Sequence, residues 1–308
     1  MKQNKSLIIL AGILVVLIGL YFLVDSGVFE PKEEAPPPAP PAENVTVTYY
    51  DGPAQNIEIT DKNGTLTFVD SKTVWTNMEH EKYPMSETTL DNLAAVLCRL
   101  TATRGLDYSE ENVKLFGLDN PSTTVKFSNS SGANGTLLIG NRNAATGDYY
   151  ITIEGSKQLF MMSASYAEMM NTDIMKFVLI PELVDVTTDT VKLIEYCHEG
   201  KTYSVSKFDA TNTEHVNLIT YINATYLSYC HEPYTEDLAR YGLVNSDTYV
   251  KVVYTDSSSG DEKEFVITVG DIHPDDDRYY YVTLSDYPNT VYRIFNLNLS
   301  RVWDAYGI

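Results

Sequence analysis

The chain has 308 residues, of which 44% are hydrophobic and 23 are tyrosines, so it has ample apolar surface to bury and is not a disordered polymer. Its formal net charge is −20, and no basic stripe interrupts this acidic surface. That charge argues against a nucleic-acid partner, because the phosphate backbone would be repelled.

The first feature along the chain is an apolar run at residues 7–24. These 18 residues carry no charge, and a helix of that length just crosses a hydrocarbon core of about 30 Å. Lys2 and Lys5 precede the run and acidic residues follow it. The charge asymmetry predicts a cytoplasmic tail at 1–6, a single-pass membrane anchor at 7–24 and an extracytoplasmic remainder. A cleaved signal peptide, with its best cleavage site before Gly27, is the alternative.

A proline-rich segment follows the apolar run. Six of the twelve residues from 31 to 42 are proline, and proline at this density favours an extended polyproline II rod. Residues 25–44 are therefore predicted to be a stalk that holds the rest of the chain away from the membrane.

The remainder of the chain repeats itself. Leu115–Leu118 opens one segment and Arg240–Leu243 opens a second, and each continues through an alternating strand, a hairpin ending in Gly and a Tyr-Tyr strand. An internal repeat of this kind governs the whole fold. It predicts an α+β protein of two tandem modules, 45–180 and 181–308, each a mostly antiparallel sheet with a helix packed on it, in the order β-β-α-β-β-β.

Each module is predicted to begin with a hairpin and a helix. The hairpins turn at Lys62-Asn63-Gly64 and at Glu199-Gly200. The helices span about 86–102 and 213–227. Two sets of residues are predicted to cap these helices and form their inner faces: Ser86 with Leu90, Leu93, Leu97 and Leu100, and Thr213 with Val216, Ile219, Ile222 and Tyr226.

The two copies differ in length. Gly64 and Gly200 are 136 residues apart, whereas Gly117 and Gly242 are 125 apart, so the second copy is 11 residues shorter between these points. The missing stretch corresponds to the strand around Trp75 or its return. We therefore expect a shortened or absent hairpin at that place in the second module.

The motifs of the repeat resemble the bacterial family catalogued as domain of unknown function 4340. In the first copy the resemblance rests on Trp75, Gly117-Leu118-Asp119-Asn120-Pro121, Leu138-Ile139-Gly140 and Tyr149-Tyr150-Ile151; in the second it rests on Gly242-Leu243, Val269-Gly270 and Tyr280-Tyr281-Val282. The second copy departs from the pattern, since Ser246 replaces the proline and no early tryptophan is present. The resemblance implies a membrane-anchored extracytoplasmic protein, of a kind often encoded beside permease and ATPase subunits of transporters similar to gliding-motility systems. It implies no catalytic or ligand residues.

Two groups of residues invite a metal or redox hypothesis. The loop Asp271–Asp277 is acidic but lacks the spacing of a calcium loop, so a solvated turn is favoured over a weak Ca²⁺ site. Cys197-His198 and Cys230-His231 admit a disulfide, free thiols or, less readily, zinc. Cys98 is predicted to be a small buried side chain on the first helix.

No catalytic motif accompanies the repeat. The sequence contains no nucleophile elbow, no Ser-x-x-Lys, no His-Glu-x-x-His and no P-loop, so no catalytic, cofactor-binding or metal residue is assigned and no cofactor is expected. The leading hypothesis is a non-enzymatic scaffold or binding protein accessory to an ABC-type transporter. The alternative is a surface enzyme or polysaccharide-binding protein that uses the tyrosines Tyr279, Tyr280, Tyr281, Tyr287 and Tyr292 as a stacking platform.

Overall fold

The part of the protein that the computed structural model describes, residues 44–72 and 74–308, is built around two antiparallel sheets. The predicted tail at 1–6, the anchor at 7–24 and nearly all of the stalk at 25–44 lie outside the described residues. Within the described residues, no helix is both long enough and apolar enough to cross a membrane.

The first half of the described chain forms an eight-stranded sheet and a small two-stranded one. Its strands are β1 (Val45–Thr46), β2 (Asn56–Asp61), β3 (Gly64–Asp70), β4 (Trp75–Asn77), β5 (Thr101–Ala102), β6 (Arg104–Leu106), β7 (Thr123–Ser128), β8 (Asn134–Arg142), β9 (Tyr149–Ile153) and β10 (Leu159–Met162). Its helices are α1 (Glu87–Cys98), α2 (Glu110–Leu115) and α3 (Ala164–Met169), with a 3-10 turn at Ile174–Lys176.

The second half forms a seven-stranded sheet. Its strands are β11 (Val191–His198), β12 (Lys201–Val205), β13 (Leu227–Glu232), β14 (Tyr249–Thr255), β15 (Glu262–Ile272), β16 (Tyr279–Leu284) and β17 (Tyr287–Phe295). Its helices are α4 (Thr213–Asn223) and α5 (Leu297–Tyr306), with a 3-10 helix at Leu238–Tyr241. Mostly antiparallel sheets with a few helices confirm the α+β class.

The two sheets share one strand order. The second runs β12-β11-β14-β15-β16-β17-β13, and seven strands of the first run β3-β2-β7-β8-β9-β10-β6. The first sheet adds β4 outside β3, and no strand of the described residues between β12 and α4 corresponds to it. The second sheet therefore lacks a strand at the place where the 11-residue deficit predicts one to be shortened or absent, because β4 contains Trp75.

The predicted hairpins and first helix are present. Ile57 and Ile59 are fully buried on alternating positions of β2, and Lys62-Asn63 connects β2 to β3. The Ser86 hydroxyl accepts a hydrogen bond from the Thr89 backbone N–H, which caps α1 as predicted. All four leucines predicted for its inner face are buried.

The second helix differs from its prediction. Asn212, not Thr213, caps α4 by accepting a hydrogen bond from the Glu214 N–H. The buried face consists of Leu218, Ile219 and Ile222, whereas Val216 and Tyr226 are exposed. Tyr226 lies beyond the end of the helix, so a face extrapolated along the helical period does not apply to it.

Each half also contains strands that the predicted order β-β-α-β-β-β lacks. After α1 comes β6, and after α4 comes β13; each pairs with the last strand of its sheet and forms an edge of it. Neither edge strand is part of the predicted order. The absence of β13 from the predicted order matters more, because this strand carries Cys230 and His231.

One continuous cluster of buried side chains runs through both halves, from Ala54 near β2 to Trp303 on α5. The connection between the halves is held in place by Asn223, whose side-chain amide exchanges two hydrogen bonds with the backbone of Val186. Residues 44–308 form one compact unit. A division into modules at 180/181 stays a prediction.

Candidate functional site

The most distinctive group of side chains lies at one edge of the second sheet, around a bulge in β13. Cys230 pairs with Tyr292 of β17 and Glu232 pairs with Val291, so the register shifts across His231. A residue inserted in this way is unpaired in the ladder, and bulges commonly turn a side chain toward a site.

His231 belongs to a cluster of four aromatic rings. Its ring centroid lies 4.9 Å from that of Tyr281 on β16, 5.5 Å from Tyr241 and 5.8 Å from His273. Tyr281 in turn lies 4.9 Å from Tyr241 and 5.2 Å from His273. We call these four residues, together with Arg293 on β17, the His231 cluster.

Glycines hold Tyr241 against the sheet. A methyl group on Gly270 of β15 would lie 2.1 Å from the Tyr241 carbonyl oxygen, so only glycine permits this approach. Gly242 follows with φ of 68°, a left-handed conformation that ends the 3-10 helix. The predicted repeat motif Tyr-Gly-Leu therefore places one ring of the cluster.

Arg293 sets the orientation and charge of His231. Its guanidinium donates hydrogen bonds to His231 Nδ1 from Nε at 3.3 Å and Nη2 at 2.8 Å. With Nδ1 accepting, the neutral imidazole carries its proton on Nε2. Burial, and then the neighbouring His273, lower the pKa of His231 below its usual 6.5, which favours that neutral form.

The guanidinium of Arg293 is stacked on aromatic rings. It lies 4.4 Å from the ring centroid of Tyr229 and 5.9 Å from that of Tyr281, distances typical of cation–π contacts. Burial lowers the pKa of Arg293, although an arginine stays protonated at physiological pH. The ion pairs among the described residues include neither Arg293 nor the nearby Arg240.

A cavity of about 310 Å³ opens beside the cluster. It is lined by His231, Arg240, Tyr241, Asp271, Ile272, Pro274 and Tyr281. The walls combine aromatic faces with one carboxylate, one guanidinium and an imidazole. The lining is about as polar as it is apolar, so the cavity suits a small polar ligand better than an apolar one.

The corresponding place in the first sheet has a different chemistry. Phe116 stacks on Tyr150 at 4.0 Å, and the Asn143 amide donates to the Tyr150 hydroxyl at 2.6 Å. Met161 pairs with Tyr150 as Arg293 pairs with Tyr281. The shared strand order and the Phe/Tyr-Gly-Leu motif place Phe116 where the second sheet has Tyr241, Asn143 where it has His273 and Met161 where it has Arg293. The two sheets therefore differ in polarity at this point.

In the acidic loop predicted as a solvated turn or weak Ca²⁺ site, some side chains already have hydrogen-bond partners within the protein. Arg278 donates to both carboxylate oxygens of Asp276, at 2.8 and 2.6 Å. His273 turns inward to the cluster, and its Nδ1 accepts a hydrogen bond from the Asp275 N–H. No group of three or more His, Cys, Asp or Glu side chains within the described residues is placed to hold a metal ion.

The disulfide hypothesis for Cys197 and Cys230 is wrong. Both thiols are free and buried. Cys197 lies on β11 and Cys230 on β13, with β14, β15, β16 and β17 between them. At about 4.8 Å per strand, this separation is far beyond the roughly 7 Å that a disulfide tolerates between Cα atoms. Cys98 is free and buried on α1, as predicted.

The five tyrosines predicted as a stacking platform do not share one surface. Tyr281 belongs to the His231 cluster, Tyr280 packs against Trp303, and Tyr292 is fully buried beside Tyr287. The sequence predicts no site at Tyr241, His231 or Arg293. The Cys-His dipeptide at 230–231 is its one signal in this region, and the disulfide hypothesis drawn from that signal concerns the cysteine.

Comparison with protein-family models matches residues 75–228, half of the chain, to the family described as "Domain of unknown function (DUF4340)". The matched stretch runs from β4 to the start of β13, and a second tandem match is not found. No curated protein and no solved structure matches the chain.

Proposed function

Because the chain belongs to the DUF4340 family, whose domain has no assigned function, we propose its role from its own site and topology. The protein acts as a membrane-anchored extracytoplasmic binding and scaffold protein that is accessory to an ABC-type transport system. The apolar run at 7–24 is its anchor and residues 25–44 are its stalk. The second sheet is a second, diverged copy of the family's domain.

The observation that carries the binding role is the difference between the two copies at one equivalent place. In the first sheet, Tyr150 stacks on Phe116 and accepts a hydrogen bond from Asn143. In the second, polar and basic side chains surround an open cavity. Arg293 contacts two residues of that lining, His231 and Tyr281. A scaffold duplicated for stability alone has no need of this half-buried arginine, since an unpaired charge is costly to desolvate.

The arrangement supports recognition better than catalysis. His231 Nδ1 is occupied by Arg293, so the imidazole cannot accept a proton at that atom without losing two hydrogen bonds. The adjacent thiol of Cys230 is buried, and that burial raises its pKa to about 12, which suppresses the nucleophilic thiolate. The side chains of the cluster are therefore suited to hold a ligand.

Co-purification tests the transporter assignment. The full-length chain, tagged at its C-terminus, is isolated from native membranes without crosslinker, and its partners are quantified by mass spectrometry against an untagged control. Enrichment of a permease and an ATPase subunit is the expected result. Recovery of the protein with neither subunit would overturn the transporter assignment.

The second candidate is a surface enzyme or polysaccharide-binding protein acting on the envelope. It is favoured by the half-exposed ring of Tyr229, which lies at a sheet edge beside Arg293 and Tyr279. Incubation of the protein with isolated envelope polysaccharide separates the alternatives: retention on the polymer supports binding, and release of new reducing ends supports an enzyme. Neither result is expected of a scaffold that contacts only transporter subunits.

A further inference from the structure

We propose that Arg293 is the receptor for an oxyanion, a carboxylate or phosphate group carried by the ligand of the second sheet. This inference deepens the binding role proposed above, because it names the chemistry that the site accepts. It does not depend on the transporter assignment.

The guanidinium of Arg293 is held in place by its neighbours, but several of its N–H donors have no hydrogen-bond partner. Nε and one Nη2 proton face His231 Nδ1, and the rings of Tyr229 and Tyr281 fix the guanidinium plane. Of the five N–H donors that an arginine offers, those on Nη1 and the second on Nη2 have no partner among the described residues. Nη1, which has no hydrogen-bond partner, is not sealed from solvent, since the buried side-chain polar atoms without a partner within the described residues are Asn77 Oδ1, Tyr292 OH and Trp303 Nε1.

This free edge has the geometry that oxyanions prefer. Two parallel N–H groups of a guanidinium match the two oxygens of a carboxylate or phosphate, and a pre-oriented arginine loses little side-chain entropy when it binds them. The half-buried position strengthens the attraction relative to bulk water. Arg240 adds a second cation that makes no ion pair within the described residues and that lines the cavity beside His231.

Arg293 differs from the other arginines of the chain in its burial. Of the seven arginines, the other six are exposed, and one of those, Arg278, has a bidentate partner in Asp276. Arg293 is half-buried and has no carboxylate partner within the described residues, and the first sheet places Met161 at the same position. The charge therefore belongs to what distinguishes the second copy.

The test uses three probes that share one sugar ring: galacturonate, galactose 6-phosphate and galactose. Their affinities for the full-length protein, in a non-ionic detergent that contains no sugar, are measured by titration calorimetry. We expect each anionic probe to bind at least tenfold more tightly than galactose. The ratio between the two anions distinguishes a carboxylate ligand from a phosphate ligand.

Arg293→Met is the decisive variant, because it installs the residue that the first sheet carries. It should weaken both anionic probes at least tenfold and leave galactose unchanged. Arg278→Met is the matched control: it removes the same charge from a paired surface arginine and should alter no affinity more than about twofold. Arg293→Lys keeps the positive charge but loses the paired N–H donors of the guanidinium. Its affinity for the anionic probes should lie between those of the wild type and Arg293→Met.

A structural readout guards against loss of fold. With only five histidines in the chain, selective ¹³C labelling gives few imidazole signals, and the signal that disappears in His231→Asn is that of His231. An anion at Arg293 should shift that signal in the wild type. The proposal is overturned if no anion binds, if galactose binds equally well, or if Arg293→Met and Arg278→Met behave alike. Anion binding without recovered transporter subunits would defeat only the transporter assignment, and the reverse result only the present inference.

Discussion

Cys230 and His231 are neighbours on β13, yet one side chain lies in the apolar core and the other at a polar cavity. Cys230 belongs to the main core, whereas His231 lies beside a cavity among Arg293 and two tyrosines. Successive residues of a strand point to opposite faces of the sheet. The chemistry of each residue follows from its surroundings, and each gives a prediction.

The three thiols should be unreactive in the folded protein. Cys98, Cys197 and Cys230 are all free and buried, and burial raises the pKa of Cys98 and Cys230. Because the thiolate is the reactive species, native protein should react with a thiol reagent only as fast as it unfolds. Protein denatured without reductant should yield three thiols per chain, and a yield of one would restore the disulfide.

His231 should make the fold sensitive to mild acid. Its folded pKa is lowered from 6.5 by burial and then by His273, so below about pH 6.5 the unfolded chain binds more protons than the folded one. The free energy of unfolding should therefore fall as the pH drops from 7.5 through 6.5 towards the lowered pKa. His231→Asn, whose amide oxygen can accept from Arg293, should reduce that slope. Denaturant titrations at four pH values measure it, and equal slopes would contradict the assignment.

At the scale of elements, a glycine near the end of β8 and one near the end of β15 fix how the Phe/Tyr-Gly-Leu segment packs on each sheet. A methyl group on Gly140 would lie 2.2 Å from the Phe116 carbonyl oxygen, and one on Gly270 would lie 2.1 Å from that of Tyr241. At both glycines the next contact is with the Cδ2 atom of the following leucine, Leu118 or Leu243. Backbone, unlike a flexible side chain, cannot move aside cheaply.

Gly140→Ala and Gly270→Ala should each destabilise the protein by at least about 2 kcal/mol through overpacking. Gly105→Ala is the control, because its new methyl group would meet nothing within 4 Å, and it should change stability by no more than about 0.5 kcal/mol. Only Gly270→Ala should also weaken anion binding, since it displaces Tyr241. Chemical denaturation and calorimetry measure the two effects. An equal loss of affinity in Gly140→Ala would show that the site responds to global stability alone.

At the scale of the whole molecule, the continuous core couples the two halves. Leu93 on α1 and Leu218 on α4 are both fully buried in that single cluster. A shared core without a break favours one cooperative unfolding transition over two, even though the strand order of the halves repeats.

The chain offers a direct test, because one of its two tryptophans lies in each half: Trp75 on β4 and Trp303 on α5, both buried. Trp303→Phe leaves a fluorescence reporter for the first half, and Trp75→Phe leaves one for the second. The two variants should each show a single transition that also coincides with circular dichroism. Adding Leu93→Ala or Leu218→Ala should lower the stability seen by either reporter by about 2–5 kcal/mol. A Leu218→Ala effect confined to the Trp303 reporter would establish independent domains at 45–180 and 181–308.

Local chemistry made much of this fold predictable. The Lys62-Asn63-Gly64 turn, the Ser86 cap and the leucine face of α1 depend on residues a few positions apart, and all are present. The similarity of the two segments could be recognised in the sequence because close backbone contacts require the glycines that they share. Even the absence of a β4 counterpart followed from counting residues between equivalent glycines.

The site could not be predicted in this way, because it is assembled from distant segments. His231, His273 and Arg293 meet only because β17 lies between β13 and β16 in the sheet, and because the register of β13 against β17 shifts at His231. The same topology separates Cys197 from Cys230 by four strands. Sequence alone determined the α+β class and the local turns and caps, since these depend on short-range chemistry. Which residues face one another was decided by sheet order and register, which are properties of the whole sheet.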